Sequence, residues 1–182
     1  DHRDLHSFPT RRSSDLAPVF SSLNGGATFI ENGSAIVIDS DVTIADTELD
    51  ALNGAIGNYN NASLTISRNG GASTEDVFAN NNLLGALIEG NTFTYNSTTV
   101  GTVTTNSSGT LVLTFNANAT SAIVDSVLQS ITYQNSSESP SSSVTLDYVF
   151  NDGIANSAGT NQAIVNITGQ NDAPTDISLS SA

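Results

Sequence analysis

The chain has 182 residues and a formal net charge of −14, because 18 Asp and Glu side chains face only four Lys or Arg. Such a surface repels nucleic acid and anionic membranes, both of which are bound through basic side chains. The 37% of apolar residues, placed in regular alternation, suffice for a buried core and exclude a disordered chain. The longest apolar runs cover about four residues, so we expect no membrane insertion.

The first sixteen residues have a sequence unlike the rest of the chain. Residues 7–16 read Ser-Phe-Pro-Thr-Arg-Arg-Ser-Ser-Asp-Leu, which resembles one translated frame of a common sequencing-library adaptor. We expect residues 1–16 to be an artefactual, disordered leader, with a short natural tail as the alternative. Without the leader the chain has no His, Cys, Lys, Met or Trp, and Arg68 is its one basic residue.

Nine short segments alternate apolar and polar residues with a period of two, which predicts β-strands. In chain order they cover residues 27–30, 35–39, 63–67, 92–95, 100–104, 110–115, 131–133, 144–150 and 163–168. Turn sequences such as Asn69-Gly70-Gly71 separate them, since Asn and Gly adopt positive φ at little cost. The pattern predicts an all-β fold, an antiparallel β-sandwich.

One segment departs from the strand period. Apolar residues recur there at helical spacing after Thr120 or Ser121, either of which can cap a first turn. They are Ile123, Val124, Val127, Leu128 and Ile131. The spacing predicts one short helix over residues 121–130 that closes one end of the sandwich.

Most enzyme chemistry is excluded by the residues that remain after the leader. A Ser or Cys nucleophile usually needs a His base, a Schiff base needs Lys, and a zinc site needs Cys or His. A hydrolase that uses a pair of carboxylates stays open as a third hypothesis. We therefore expect a protein without enzymatic activity.

Carboxylates are concentrated in one part of the chain. Six of the fifteen that follow the leader lie within twenty residues, at Glu31, Asp39, Asp41, Asp46, Glu48 and Asp50. Like charges this close favour either a bound cation or a solvated face. Calcium fits such a set, because it takes six to eight oxygen ligands in flexible geometry. Arg68 is interpreted as a surface ion-pair partner of one of these acids.

Two seams share an Ala-Pro step, at Leu16-Ala17-Pro18 and at Asp172-Ala173-Pro174. A short strand-like run follows each seam, over residues 19–23 and 176–180, which is typical of tandem repeats. The seams predict one complete repeat over residues 17–172 and the truncated start of a following repeat over residues 173–182.

The order of several motifs resembles a cadherin-like repeat of large bacterial surface adhesins. The motifs are Asp76-Val-Phe, Thr110-Leu-Val-Leu-Thr-Phe, Ile131-Thr-Tyr-Gln-Asn-Ser and Asp147-Tyr-Val-Phe-Asn-Asp-Gly, followed by Asn171-Asp172-Ala173-Pro174. The resemblance covers residues 17–174. It implies an immunoglobulin-like or cadherin-like sandwich outside the cell or on its surface, with neighbouring repeats, and a cell-surface protein or glycan, as partners.

The same resemblance implies a set of calcium ligands at the junctions between repeats. Glu31 matches the family's early Glu, and Asp46 with Glu48 matches its Asp-x-Asp pair with Glu in second place. Asp152, before Gly153, matches a late turn Asp, and Asn171 with Asp172 matches the linker. The family's acidic motif near mid-repeat and the linker's second Asn have no counterpart here.

Other interpretations remain open for these residues. Asp152 and Asp172 stand in sequences that are common turns without a metal, and Asp39, Asp41 and Asp50 fit solvated loop charges. The competing function is an accessory carbohydrate-binding module of an extracellular enzyme. Such a module would expose a coplanar row of tyrosines, whereas a spacer repeat would bury them.

Overall fold

The computed structural model describes residues 15–171, so most of the expected leader and the expected start of a following repeat lie outside the described residues. Within them the chain forms twelve strands and three short helices. The strands are β1 (Val19–Ser21), β2 (Gly25–Ile30), β3 (Ile36–Val37), β4 (Thr43–Ala45), β5 (Ser63–Arg68), β6 (Asp76–Asn80), β7 (Thr92–Tyr95), β8 (Thr98–Ser107), β9 (Thr110–Phe115), β10 (Ile131–Asn135), β11 (Ser143–Asn151) and β12 (Gln162–Thr168). The helices are α1 (Thr47–Asp50), α2 (Leu52–Ala55) and α3 (Ser121–Leu128).

The strands form one large sheet and a second, smaller layer. The large sheet has seven strands in the order β2-β12-β11-β5-β9-β8-β7, and the smaller layer contains a three-stranded sheet, β3-β10-β6, and the pair β1-β4. Pairing is antiparallel except between β12 and β2, which run parallel. The predicted all-β sandwich is confirmed, and the one parallel pair is a departure from a purely antiparallel arrangement.

The core lies between the two layers because each long strand points alternate side chains inward. In β11 the inward residues Val144, Leu146, Tyr148 and Phe150 are all buried. Aromatic pairs cross the interface edge to face, with ring centroids of Phe29 and Tyr133 6.3 Å apart and those of Phe20 and Tyr148 6.0 Å apart. Pairs of this geometry add about 0.5–1.5 kcal/mol to the burial of their area.

The predicted helix is present as α3, and its apolar stripe packs into the core through Val124, Val127 and Leu128. Thr120 takes the N-cap position without a side-chain hydrogen bond, while the Ser121 hydroxyl donates to Asp50 instead. The expectation of a single helix is wrong, because α1 adds one turn and α2 adds an irregular turn in which Asn53 and Gly54 have positive φ. No helix within residues 15–171 has the length and apolar content needed to cross a membrane.

Strand direction brings the predicted metal ligands to two opposite ends of the sandwich. β11 is antiparallel to β12 and ends at Asn151, so Asp152 lies at the end where β12 begins. β2 and β12 run parallel and finish together, which places Glu31 beside the chain that leaves β12. These are called below the Asp152 end and the Glu31 end.

Candidate metal centre

A cleft of about 240 Å³ at the Asp152 end brings together three of the predicted ligands, Asp46, Glu48 and Asp152. Its other lining residues are Asp15, Leu49 and Ile154. Two of these acids are almost fully buried, since Asp46 is 2% and Asp152 8% exposed. The cleft therefore contains carboxylates that water reaches poorly.

Asp46 is held by its position at the start of α1. It is the N-cap residue, a place that Asp favours, and its Oδ1 accepts a hydrogen bond from the backbone N–H of Leu49 at 2.7 Å. Its own backbone N–H donates to Asp50 Oδ2 at 3.0 Å. The second carboxylate oxygen, Oδ2, is buried and accepts no hydrogen bond within the described residues.

Asp152 is held in a similar way by the turn that follows β11. Its Oδ1 accepts hydrogen bonds from the backbone N–H groups of Ile154 and Ala155, at 2.6 and 2.7 Å. Gly153 has a φ of 105°, which side-chain-bearing residues rarely adopt and which lets the chain fold back over the carboxylate. Here too Oδ2 is buried, with no hydrogen-bond donor among residues 15–171.

The charges in this cleft repel one another. Burial raises the pKa of Asp46, the hydrogen bond from Leu49 N–H lowers it, and the charges of Asp152 and Glu48 raise it further, so that the net pKa is raised. Arg68 is the sole Lys or Arg of residues 15–171, and its guanidinium is paired with Asp76. In the part of the chain that the structure describes, no side-chain cation offsets the cleft.

A buried carboxylate oxygen without a donor costs free energy, and a hard cation relieves that cost by direct coordination. Asp46 Oδ2 and Asp152 Oδ2 are buried oxygens of this kind, to which no residue among 15–171 donates. However, no three His, Cys, Asp or Glu side chains among residues 15–171 are grouped closely enough to hold a metal ion alone. The acids of the cleft that the structure describes therefore do not complete a metal site by themselves.

The Glu31 end holds the other predicted ligands that the structure describes, Glu31 and Asn171. Glu31 is 3% exposed, and its Oε2 accepts a hydrogen bond from the backbone N–H of Gln170 at 2.6 Å. Its Oε1 is buried and accepts no hydrogen bond from the described residues. Asn171 follows Gln170 directly, and Asp172 lies outside the described residues. The five predicted ligands within residues 15–171 are therefore divided between the two ends, and they do not surround one point.

The remaining acids of the cluster have structural contacts. Asp39 is 4% exposed and accepts four backbone hydrogen bonds, from Asn24, Gly25, Asp41 and Val42. Burial opposes its ionisation, but these donors outweigh burial and lower the pKa of Asp39. Asp50 accepts from the hydroxyls of Tyr59 and Ser121. The interpretation as solvated loop charges is wrong for Asp39 and fits the exposed Asp41.

Arg68 pairs with an acid outside the cluster, so its predicted partner is wrong. Its Nε and one terminal nitrogen donate to the two oxygens of Asp76 at 2.8 and 2.6 Å. The Tyr133 hydroxyl and the Asn135 amide also donate to Asp76, at 2.6 and 3.1 Å. Since β5 belongs to the large sheet and β6 and β10 to the small one, this network ties the layers together.

Three of the four tyrosines are core residues: Tyr59 and Tyr133 are 0% exposed and Tyr148 is 2% exposed. Only Tyr95 is half-buried and reaches the surface. The coplanar exposed row expected of a carbohydrate-binding module is therefore not formed by these residues.

The chain matches no protein-family model, no curated protein and no solved structure.

Proposed function

We propose that this chain is a non-enzymatic structural repeat of a secreted or surface-anchored bacterial adhesin, in which calcium stiffens the junctions between successive copies. The observation that carries the proposal is that, among residues 15–171, buried carboxylate oxygens accept no hydrogen bond at both ends of the sandwich, Asp46 Oδ2 and Asp152 Oδ2 at one and Glu31 Oε1 at the other. Two incomplete shells at opposite ends complement each other when copies stand end to end.

The position of Asp15 supports the same arrangement. Asp15 precedes Leu16-Ala17-Pro18 as Asn171 precedes Asp172-Ala173-Pro174, and Asp15 lines the cleft of the Asp152 end. The segment that enters the repeat thus runs past Asp46 and Asp152. In a tandem array, Asn171 and Asp172 of one copy would occupy this place on the next copy and bring their oxygens to the cleft.

The absence of catalytic side-chain types supports a structural role. From residue 17 onward the sequence supplies no His, Cys or Lys, and the buried acids Asp39 and Asp76 are engaged in hydrogen bonds that hold the fold. Buried tyrosines support a spacer repeat over the alternative of an accessory carbohydrate-binding module.

Calorimetric titration with calcium tests the proposal on two proteins, the single chain and a tandem protein in which two copies of residues 17–172 follow one another. The tandem protein restores the Asp-Ala-Pro seam. We expect binding at or weaker than ~10⁻⁴–10⁻³ M for the single chain and clearly tighter binding for the tandem protein. Equal calcium affinities for the two proteins would mean that the ion binds within one copy, and they would contradict a site at the junction between copies.

Small-angle scattering tests the stiffening itself. A tandem protein is expected to shorten and to broaden its distance distribution when a chelator removes calcium, and Asp172→Ala at the internal seam should reproduce this change in saturating calcium. Asp41→Asn is the matched control, because Asp41 is an exposed acid outside both ends. One extended shape in chelator would mean that the ion has no mechanical role.

A further inference from the structure

A second cleft, of about 280 Å³, lies where α3 passes into the three-stranded sheet. The side chains that matter here are those of Ser40, Asn82, Leu83, Tyr95, Gln129 and Ser130. None of the residues that line this side cleft is charged, although the chain carries a net charge of −14. Its surface combines one aromatic ring, amides and hydroxyls.

Several polar groups of the side cleft are left for a ligand. The Asn82 side-chain amide and the Tyr95 hydroxyl make no hydrogen bond with any described residue. Gln129 donates through Nε2 to the Val42 carbonyl at 2.9 Å, which fixes the amide and leaves its Oε1 as an acceptor. The cleft thus offers donors and acceptors around an aromatic ring of which only part is exposed.

The walls of the side cleft are held by hydrogen bonds. The Asn81 backbone N–H donates to the Ser130 carbonyl at 2.9 Å, and the Asn96 N–H donates to the Leu83 carbonyl at 2.9 Å. The Asn80 side chain donates to the Leu84 carbonyl at 2.8 Å. A site that is fixed before binding loses less entropy when a ligand arrives.

We propose that the side cleft binds a short stretch of a neutral oligosaccharide. A sugar ring has an apolar face, which suits the Tyr95 ring, and hydroxyls that match the amides of Asn82 and Gln129. An acidic sugar is disfavoured by the charge of the chain. The volume lies just below the ~300–1,000 Å³ of sites for drug-sized ligands, which fits one or two sugar units.

The side cleft shares no lining residue with the cleft at the Asp152 end and contains neither Glu31 nor Gln170. It would stay open in an end-to-end array, where each copy presents one site. Weak single sites repeated along a chain bind a polymer with an avidity well above the affinity of each. The proposal stands on its own observations and does not require calcium.

Heteronuclear NMR titration of the full chain with cellohexaose, xylohexaose, mannohexaose and maltohexaose tests this proposal, with hexagalacturonate as the acidic comparison. We expect at least one neutral sugar to shift backbone amides within residues 37–40, 81–84, 94–96 and 126–131, and hexagalacturonate to bind more weakly. Shifts confined to other regions, or no shift with any of the four sugars at about 10 mM, where even a millimolar site would be occupied, overturn the proposal.

Two variants separate binding from folding. Asn82→Gly removes the amide and keeps the backbone relaxed, because Asn82 has a φ of 54°. Its matched control is Asn61→Gly, at an exposed Asn with a φ of 68° and no side-chain hydrogen bond to a described residue. We expect Asn82→Gly to bind about two- to tenfold more weakly and the control to bind normally.

Tyr95→Leu, which keeps apolar bulk against the core, should weaken binding by about tenfold through loss of the ring surface. Each variant is first checked for an unchanged amide spectrum outside the cleft. If Asn82→Gly and Tyr95→Leu are both folded and bind as tightly as the unmodified chain, the side cleft is not the sugar site.

Discussion

The buried carboxylate of Asp76 differs from those of Asp46 and Asp152 in how many hydrogen-bond donors surround it. Asp76 is surrounded by donors, because Arg68, Tyr133 and Asn135 all bind its oxygens. Asp46 and Asp152 each have one oxygen bound by backbone N–H groups and one buried oxygen to which no described residue donates. The fold can therefore satisfy a buried acid completely, and it leaves the acids of the Asp152 end half satisfied.

This difference has an energetic meaning. A buried charge whose donors are all in place holds the structure together, whereas a buried oxygen without a donor weakens it until something binds. Removing the acid should then have opposite effects at the two places.

The largest effect is expected for Asp76→Ala. This change leaves the Arg68 guanidinium and the Tyr133 hydroxyl without their acceptor between the two layers. Breaking a buried pair from one side costs about 3–5 kcal/mol, so the free energy of unfolding should fall by that order. Urea denaturation measures it.

Asp147→Ala is the control for this prediction. Asp147 accepts hydrogen bonds from Asn69 and Gln162 on the outer face of the large sheet, where solvent can replace them. Its loss should cost less than about 1 kcal/mol. Equal losses of unfolding free energy in the two variants would show that the hydrogen-bond network between the layers stabilises the fold no more than contacts on the outer face do.

In the presence of chelator, the double variant Asp46→Asn, Asp152→Asn is expected to be more stable than the unmodified chain, which is the opposite of the effect of Asp76→Ala. Each Asn keeps the oxygen that accepts from the backbone and replaces the unsatisfied oxygen with an NH₂ group, while two like charges disappear. We expect the free energy of unfolding to rise by about 0.5–2 kcal/mol. A loss of stability in chelator would mean that these charges already stabilise the repeat by themselves.

The calcium response of the same double variant completes the comparison. The unmodified tandem protein should gain about 1.4–2.7 kcal/mol per site at calcium ten to a hundred times its dissociation constant, and the variant should gain little. Thermal unfolding with and without calcium gives both values.

These contrasts were only partly accessible from the sequence. Alternation identified the long strands, including β9 and β11, because each buries one face. Alternation missed β4, because a strand of three residues is too short to show a period. It also missed β6, because that strand begins with a buried Asp76, and the local sequence does not show which residues donate hydrogen bonds to it. The division of the predicted ligands between two ends depends on the pairing of β2 with β12, a contact between distant segments that no local pattern encodes.

A smaller effect on the free energy of unfolding is expected when the pH is changed in the presence of chelator. Burial is the main cause that raises the pKa of Asp46, so the folded protein takes up this proton at a higher pH than the unfolded chain, in which the pKa lies near 3.8. The ionised group therefore costs stability, in full above its folded pKa, and the cost disappears as the pH falls through that pKa. The stability difference between Asp46→Asn and the unmodified chain should be larger at about pH 7 than at about pH 4.5.

Urea denaturation at the two pH values measures this difference. Comparing the two proteins at each pH cancels the contribution of Asp39, whose lowered pKa acts in the other direction at lower pH. A difference that stays constant or grows on acidification would contradict the raised pKa.

The smallest effect is expected for Asp41→Asn. Asp41 is exposed and lies in neither end cleft. The change should alter the free energy of unfolding by less than about 0.5 kcal/mol and leave calcium affinity unchanged. Calorimetric titration of the tandem protein would contradict this if calcium affinity fell as far as in the double variant Asp46→Asn, Asp152→Asn.

The parallel pairing of β2 with β12 also governs how the repeat bears a pulling force. A pull on the chain that leaves β12 acts along the strand axis, so β12 must slide past β2 on one side and β11 on the other. The backbone hydrogen bonds of both ladders then share the load at once, because they lie across the direction of pulling and cannot be opened one after another. β12 is thereby loaded in shear between two neighbours, and the resistance of the chain to stretching is expected to come from its place between β2 and β11.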